Sequence, residues 1–204
     1  MHDTDPVGNP STNRRITLVA VAVTVVALVL PGCAAPQRRH APSARQPDGK
    51  LGTSARYAIA DRVAAPKLTG QLLDGERFDL AEWRGKIVVI NFWGSWCAPC
   101  RLEAPRLEAA YRATTDSGVE FLGVDVRDGR DAAQAFEKDF GITYPSLFDP
   151  AGHVAVTFRR VPPNVVPATL VLDRRHRVAA VFRRAVEPGE LEKVIGELMA
   201  ESPD

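Results

Sequence analysis

Phe92-Trp93-Gly94-Ser95-Trp96-Cys97-Ala98-Pro99-Cys100 is the stretch on which the reading of this chain turns. It completes a nearly continuous apolar run that begins Lys86-Ile87-Val88-Val89-Ile90-Asn91. Such a run suits a strand in the middle of a sheet covered on both faces. After Trp93 comes a tight turn at Gly94 and Ser95. From Pro99 to about Thr115 the spacing is helical, with Leu102, Leu107 and Tyr111 expected on the inward face. Pro105 removes one backbone donor and is expected to kink that helix.

A strand, a turn and a helix that starts at two cysteines have a chemical consequence. The first turn of a helix carries unpaired N–H groups and the positive end of the dipole, which favour thiolate over thiol. A free cysteine has a pKa of about 8.5, and C-x-x-C sites lower it to between about 3.5 and 7.5. Cys97, at the mouth, is therefore expected to attack, and Cys100, one turn inward, to resolve the mixed disulfide.

Working outward, Lys67 to Leu72 and Glu76 to Leu80 flank Asp74-Gly75, a hairpin signal. Val119 to Val126 and the short Tyr144 to Phe148 read as strands. Asp131 to Phe140 reads as a helix stopped by Gly141. Ala168 to Leu172 and Val178 to Phe182 predict a second hairpin around Asp173-Arg174-Arg175-His176. Pro188 to Ala200 carries Leu191, Val194, Ile195 and Leu198 at the spacing of a terminal amphipathic helix. This order predicts an α/β domain with a central mixed sheet flanked by helices.

Composition supports a single folded domain with a tail. The chain has 204 residues, 45% hydrophobic and 25% charged, which is ordinary for a globular protein. Its formal net charge of +1 comes from scattered residues rather than a basic face, so no nucleic-acid partner is expected. A structural zinc site would need two further ligands at matching spacing, and His2, His40, His153 and His176 do not supply them. No metal and no cofactor are expected.

The third cysteine, Cys33, belongs to a different feature. Arg14 and Arg15 precede an uncharged, mostly apolar run, Ile16 to Leu30, ending at Leu30-Pro31-Gly32-Cys33. These are the parts of a secretory signal, and the run is shorter than the roughly 20 residues of a membrane-spanning helix. The ending resembles the lipobox of bacterial lipoproteins, with Pro31 as a departure from it. That resemblance implies that Cys33 becomes the mature N-terminus and carries a lipid, each buried methylene adding about 0.8 kcal/mol of membrane attachment. The other readings are a cysteine discarded with the signal and an uncleaved anchor. Residues 1–33 are thus expected to be the signal, 34–56 a Pro-, Ala- and Arg-rich flexible linker, and 57–204 the folded domain.

The residues around the cysteine pair resemble the thioredoxin superfamily, and more closely its membrane-tethered TlpA/ResA branch. The resemblance covers about Tyr57 to Met199. It implies a thioredoxin-like fold with an N-terminal β-hairpin addition, Lys67 to Leu80, before the core. It also implies that Glu103, three residues after the second cysteine, helps move the proton of the buried thiol. The other reading of Glu103 is a surface residue favoured by the helix dipole. Asn91 stands where thioredoxin has a buried aspartate, so an amide replaces a base there, or it is simply a hydrogen-bonded core residue.

Pro167 matches the family's cis-proline, and the resemblance implies a cis peptide there; the other reading is an ordinary trans proline in the run Pro162-Pro163-Asn164-Val165-Val166-Pro167. Val166 and Pro167 are expected to lend substrate a strand-like backbone partner. Trp96 is expected to shape the docking surface, and Ala98 and Pro99 to tune the potential.

The implied function is an extracytoplasmic thiol–disulfide oxidoreductase. It would be fed by a membrane thiol electron carrier and would reduce disulfides in exported proteins such as apocytochrome c. The same residues would also serve an oxidase that introduces disulfides. A copper-binding module would need a third ligand beside the sulfurs. A peroxide-reducing enzyme of the same broad fold would not need Cys100 so close.

Overall fold

Every residue of the strand that leads to the cysteines is buried, and the remaining elements are arranged around it. The computed structural model describes residues 54–158 and 165–202. The strands are β1 (Ser54–Arg56), β2 (Thr69–Gln71), β3 (Arg77–Asp79), β4 (Ile87–Trp93), β5 (Val119–Val126), β6 (Ser146–Asp149), β7 (Ala168–Leu172) and β8 (Val178–Phe182). The helices are α1 (Ala98–Thr114), α2 (Arg130–Phe140), α3 (His153–Thr157) and α4 (Glu190–Ala200).

Six strands form one sheet in the order β1-β8-β7-β4-β5-β6. β4 runs parallel to β5, and β5 to β6, whereas β7, β8 and β1 are antiparallel. Alternation along the strands separates two cores. Val88, Ile90, Phe92, Leu122 and Val124 pack towards the hairpin residues Leu68, Leu72 and Phe78 and towards Phe158. Ile87, Val89, Phe121 and Val171 pack under Leu107 of α1 and Leu191, Val194, Ile195 and Leu198 of α4.

The expected hairpin is β2–β3, with Gly75 at a φ of 94° in the left-handed region that glycine tolerates. It docks on the outermost strand of the sheet. Leu72 bridges Leu147, and the Leu73 N–H donates to Ser146 O at 2.8 Å. Arg130 and Gln134 of α2 donate to the Leu73 carbonyl from the other side.

Two elements and one side chain differ from the expectations. Ser54–Arg56, placed in the linker, pair with Phe182 to Ala180 of β8. α3 was not foreseen, because its first turn depends on Asp149, whose carboxylate accepts from the His153 and Val154 amides. Leu102 is 71% exposed rather than inward. The buried positions of α1 include Cys100, Ala104 and Leu107, and at about 100° per residue Leu102 is turned roughly 200° from Cys100. Pro105 lies inside α1, which is assigned without a break from Ala98 to Thr114.

The end of α4 is held by ions. The Arg62 guanidinium bonds both oxygens of Glu201 and also reaches Asp173, which in turn accepts from Arg177. Residues 1–53, including Cys33 and the expected signal, lie outside the described residues.

Candidate active site

The site is built where β4 ends. Cys97 caps α1: its Sγ accepts the Cys100 N–H at 3.2 Å, and Ala98 and Pro99 open the helix behind it. A sulfur in that position faces the free N–H groups of the first turn, so a negative charge on Cys97 gains donors that a buried sulfur deeper in the helix lacks. Cys97 and Cys100 are joined as a disulfide with their Cα atoms 5.3 Å apart. Cys97 was expected at the mouth, yet it is only 3% exposed. Its neighbour Trp96 is 50% exposed. Trp93 is core, stacked on Phe136 at a centroid distance of 4.5 Å.

Glu103 lies one helical turn beyond Cys100, and the structure buries it completely against the sheet rather than leaving it on the surface. Its Oε1 accepts from Asn91 Nδ2 at 2.9 Å, and its Oε2 accepts the Val186 N–H at 2.9 Å. Asn91 also donates to Thr169 Oγ1 at 3.0 Å, tying β4 to β7. Burial pushes the Glu103 pKa up from 4.5 to about 7, while the bonds from Val186 and Asn91 hold back part of that rise. A carboxyl poised there can take or give a proton near neutral pH.

The Val166–Pro167 peptide is cis, and Pro167 is buried at the start of β7. Val166 packs against both the sheet core and the cluster that holds Cys97, Cys100 and Trp93. Among the described residues, no group of three His, Cys, Asp or Glu side chains is placed to hold a metal ion.

Sequence reading missed one side of the site, the segment that follows β5. Trp96 Nε1 donates to Val126 O at 3.3 Å, Arg127 lies over the Trp96 ring at 4.6 Å, and Asp128 Oδ2 accepts the Ser95 N–H at 2.6 Å. The visible signal was Asp125, an acidic residue in the fully buried part of β5.

The model of the AhpC/TSA family matches residues 62–181. The chain belongs to the AhpC/TSA family. Within that family it is similar to the thiol-disulfide oxidoreductase ResA of Geobacillus kaustophilus, with 30% identity over 67% of this chain and 76% of the relative. A DsbF homologue from Corynebacterium diphtheriae superposes with a TM-score of 0.70 at 42% identity, covering 75% of this chain and 96% of that one. A secreted thiol-disulfide isomerase from Corynebacterium glutamicum does so with a TM-score of 0.72 at 39% identity, covering 77% and 96%. This AhpC/TSA member therefore has a thioredoxin-like fold and is a thiol–disulfide oxidoreductase.

Proposed function

We propose that the protein reduces disulfides in exported proteins outside the cytoplasmic membrane. In this reading Cys97 is the attacking sulfur and Cys100 the resolving one. The Cys97 thiolate attacks a substrate disulfide and releases one substrate sulfur. Cys100 gives its proton to Glu103 and attacks Cys97 Sγ, and the second substrate sulfur leaves. The oxidised pair then takes two electrons from a membrane thiol carrier. By likeness to the ResA branch, apocytochrome c is one substrate. Trp96, Val166 and Pro167 form the surface where the substrate backbone lies, and Ala98 and Pro99 set the potential.

The observation that carries the direction is the buried Glu103, one helical turn along α1 from Cys100. A strong oxidant owes its high potential to a stabilised reduced form. A carboxylate in the same dry pocket opposes thiolate charge and keeps the dithiol ready to give its electrons away. Equilibrating the enzyme with dithiothreitol or glutathione buffers is expected to place the couple near about −270 mV or below. A value near about −120 mV sinks the reductant reading and leaves the disulfide-introducing oxidase in its place.

Export and tethering rest on residues 1–33. Among the described residues no helix is long and apolar enough to cross a membrane. Attachment is assigned to a lipid on Cys33, with residues 34–56 largely a linker, and the similar thiol-disulfide isomerase of C. glutamicum, a secreted protein, agrees with export. A fatty-acid label should be incorporated by the chain and lost in Cys33→Ala. Label retained in that variant rejects the anchor.

A further inference from the structure

Asp125 is the least comfortable group in the domain. It is 0% exposed, and neither carboxylate oxygen meets an N–H or O–H donor. It lies on β5 opposite Trp93 of β4, on the face that carries the cysteine cluster. The charged groups that face it are all acidic: Asp128 from the following loop, Glu137 from α2 and Asp149 from β6. Nearby cations are engaged elsewhere. Arg127 lies over Trp96, and Arg130 donates to the Leu72 and Leu73 carbonyls. An ionised carboxylate in this position would be a buried charge without a partner, which folded proteins avoid by keeping the proton.

A protonated Asp125 has one O–H to donate, and the Asp128 carboxylate is within hydrogen-bonding reach. Asp128 already accepts the Ser95 N–H at 2.6 Å and the Gly129 N–H at 2.9 Å. We propose that Asp125 and Asp128 share one proton as an acid–carboxylate pair, and that this pair is a positioning element holding the Ser95–Trp96 backbone that presents Cys97. It deepens the proposed role of Cys97 and rests on it only for its effect on turnover. Val126 and Arg127, between the two carboxyls, grip the Trp96 ring, so the whole segment Asp125–Asp128 forms the floor of the loop. Loss of the shared proton would set two like charges against each other and drive Asp128 off the Ser95 amide.

The electrostatics agree with the geometry. Burial first, and then the Asp128 charge, push the Asp125 pKa up from 3.8 to about 8. Asp125 therefore keeps its proton at neutral pH and loses it as the solution becomes alkaline.

The test is hydrogen exchange at the Ser95 amide in the oxidised full chain, where neither Cys97 nor Cys100 titrates. Protection, measured against the intrinsic exchange rate, is expected to fall about tenfold as pH is raised through about 8. In Asp125→Asn the side-chain amide still donates to Asp128 but cannot lose a proton, so protection should be flat over the same range. Asp125→Ala should lack it already at neutral pH. A wild-type-like fall in Asp125→Asn, or full protection in a folded Asp125→Ala, overturns the shared proton. These results stand whether or not Cys97 is the attacking sulfur. For the link to the reaction, Asp128→Ala should lower kcat/KM on a disulfide substrate about tenfold. Unchanged kcat/KM in an Asp128→Ala protein that has lost Ser95 protection would overturn the positioning role.

Discussion

Cys97→Ser is expected to reduce turnover of insulin or of a scrambled-disulfide substrate to the uncatalysed background, whereas Cys100→Ser is expected to accumulate mixed disulfides with substrate. The asymmetry follows from the N-cap. Only Cys97 Sγ sits where a first-turn N–H reaches it, so Cys97 is the sulfur whose thiolate is stabilised before substrate arrives. Cys100 is buried as well and, in the proposed order, acts once a disulfide to Cys97 exists. With serine at position 100 nothing inside the site can release the first bond, and the intermediate persists until an external thiol attacks it. Non-reducing electrophoresis distinguishes the outcomes. If Cys97→Ser trapped adducts and Cys100→Ser did not, the order of attack would be reversed.

Glu103→Gln carries the second large effect, and it should appear in both rate and stability. An amide cannot accept the Cys100 proton, so resolution of the mixed disulfide should slow by about a hundredfold near neutral pH. The stability effect has a definite sign. The Glu103 carboxyl holds its proton more tightly folded, at about 7, than its ordinary 4.5. Its contribution is therefore complete below about 4.5 and is lost as pH rises to about 7. The shift corresponds to a loss of about 3 kcal/mol across that window.

Urea unfolding of the oxidised protein should thus show stability falling with pH in the wild type, with about 3 kcal/mol less fall in Glu103→Gln. Asp125 adds a fall of the same sign that the substitution leaves in place, which is why the difference between the two proteins is the quantity to read. Identical pH slopes would mean that Glu103 is ionised throughout and has no proton to exchange with Cys100.

The elements that sequence reading located best are those whose burial is continuous. β5, β7 and β8 begin and end at the residues expected of them, because apolar runs bounded by turn residues define a buried strand without outside help. β1 was missed for the opposite reason. Its three residues sit at the end of a Pro- and Arg-rich stretch and become a strand only by pairing with β8. α3 likewise depends on one carboxylate capping two amides, and no periodicity announces that.

In the site, the cysteine pair was legible from its spacing between strand and helix, and Glu103 from a family resemblance. The burial of Glu103 and its bond to Asn91 were not legible, since they depend on how α1 lies across β4. Asp128 and Ser95 are 33 residues apart in sequence and meet only because β4 and β5 run parallel and end side by side.

The docked hairpin has a consequence for life among unfolded chains. β6 is the last strand of its sheet, and a bare outer strand is a template on which any extended polypeptide can polymerise. Leu72 and Leu73 occupy backbone positions there, and α2 pins them down with side-chain bonds. A protein proposed to handle extended, unfinished polypeptides is thereby shielded along that flank from being zipped into aggregates by the molecules it serves.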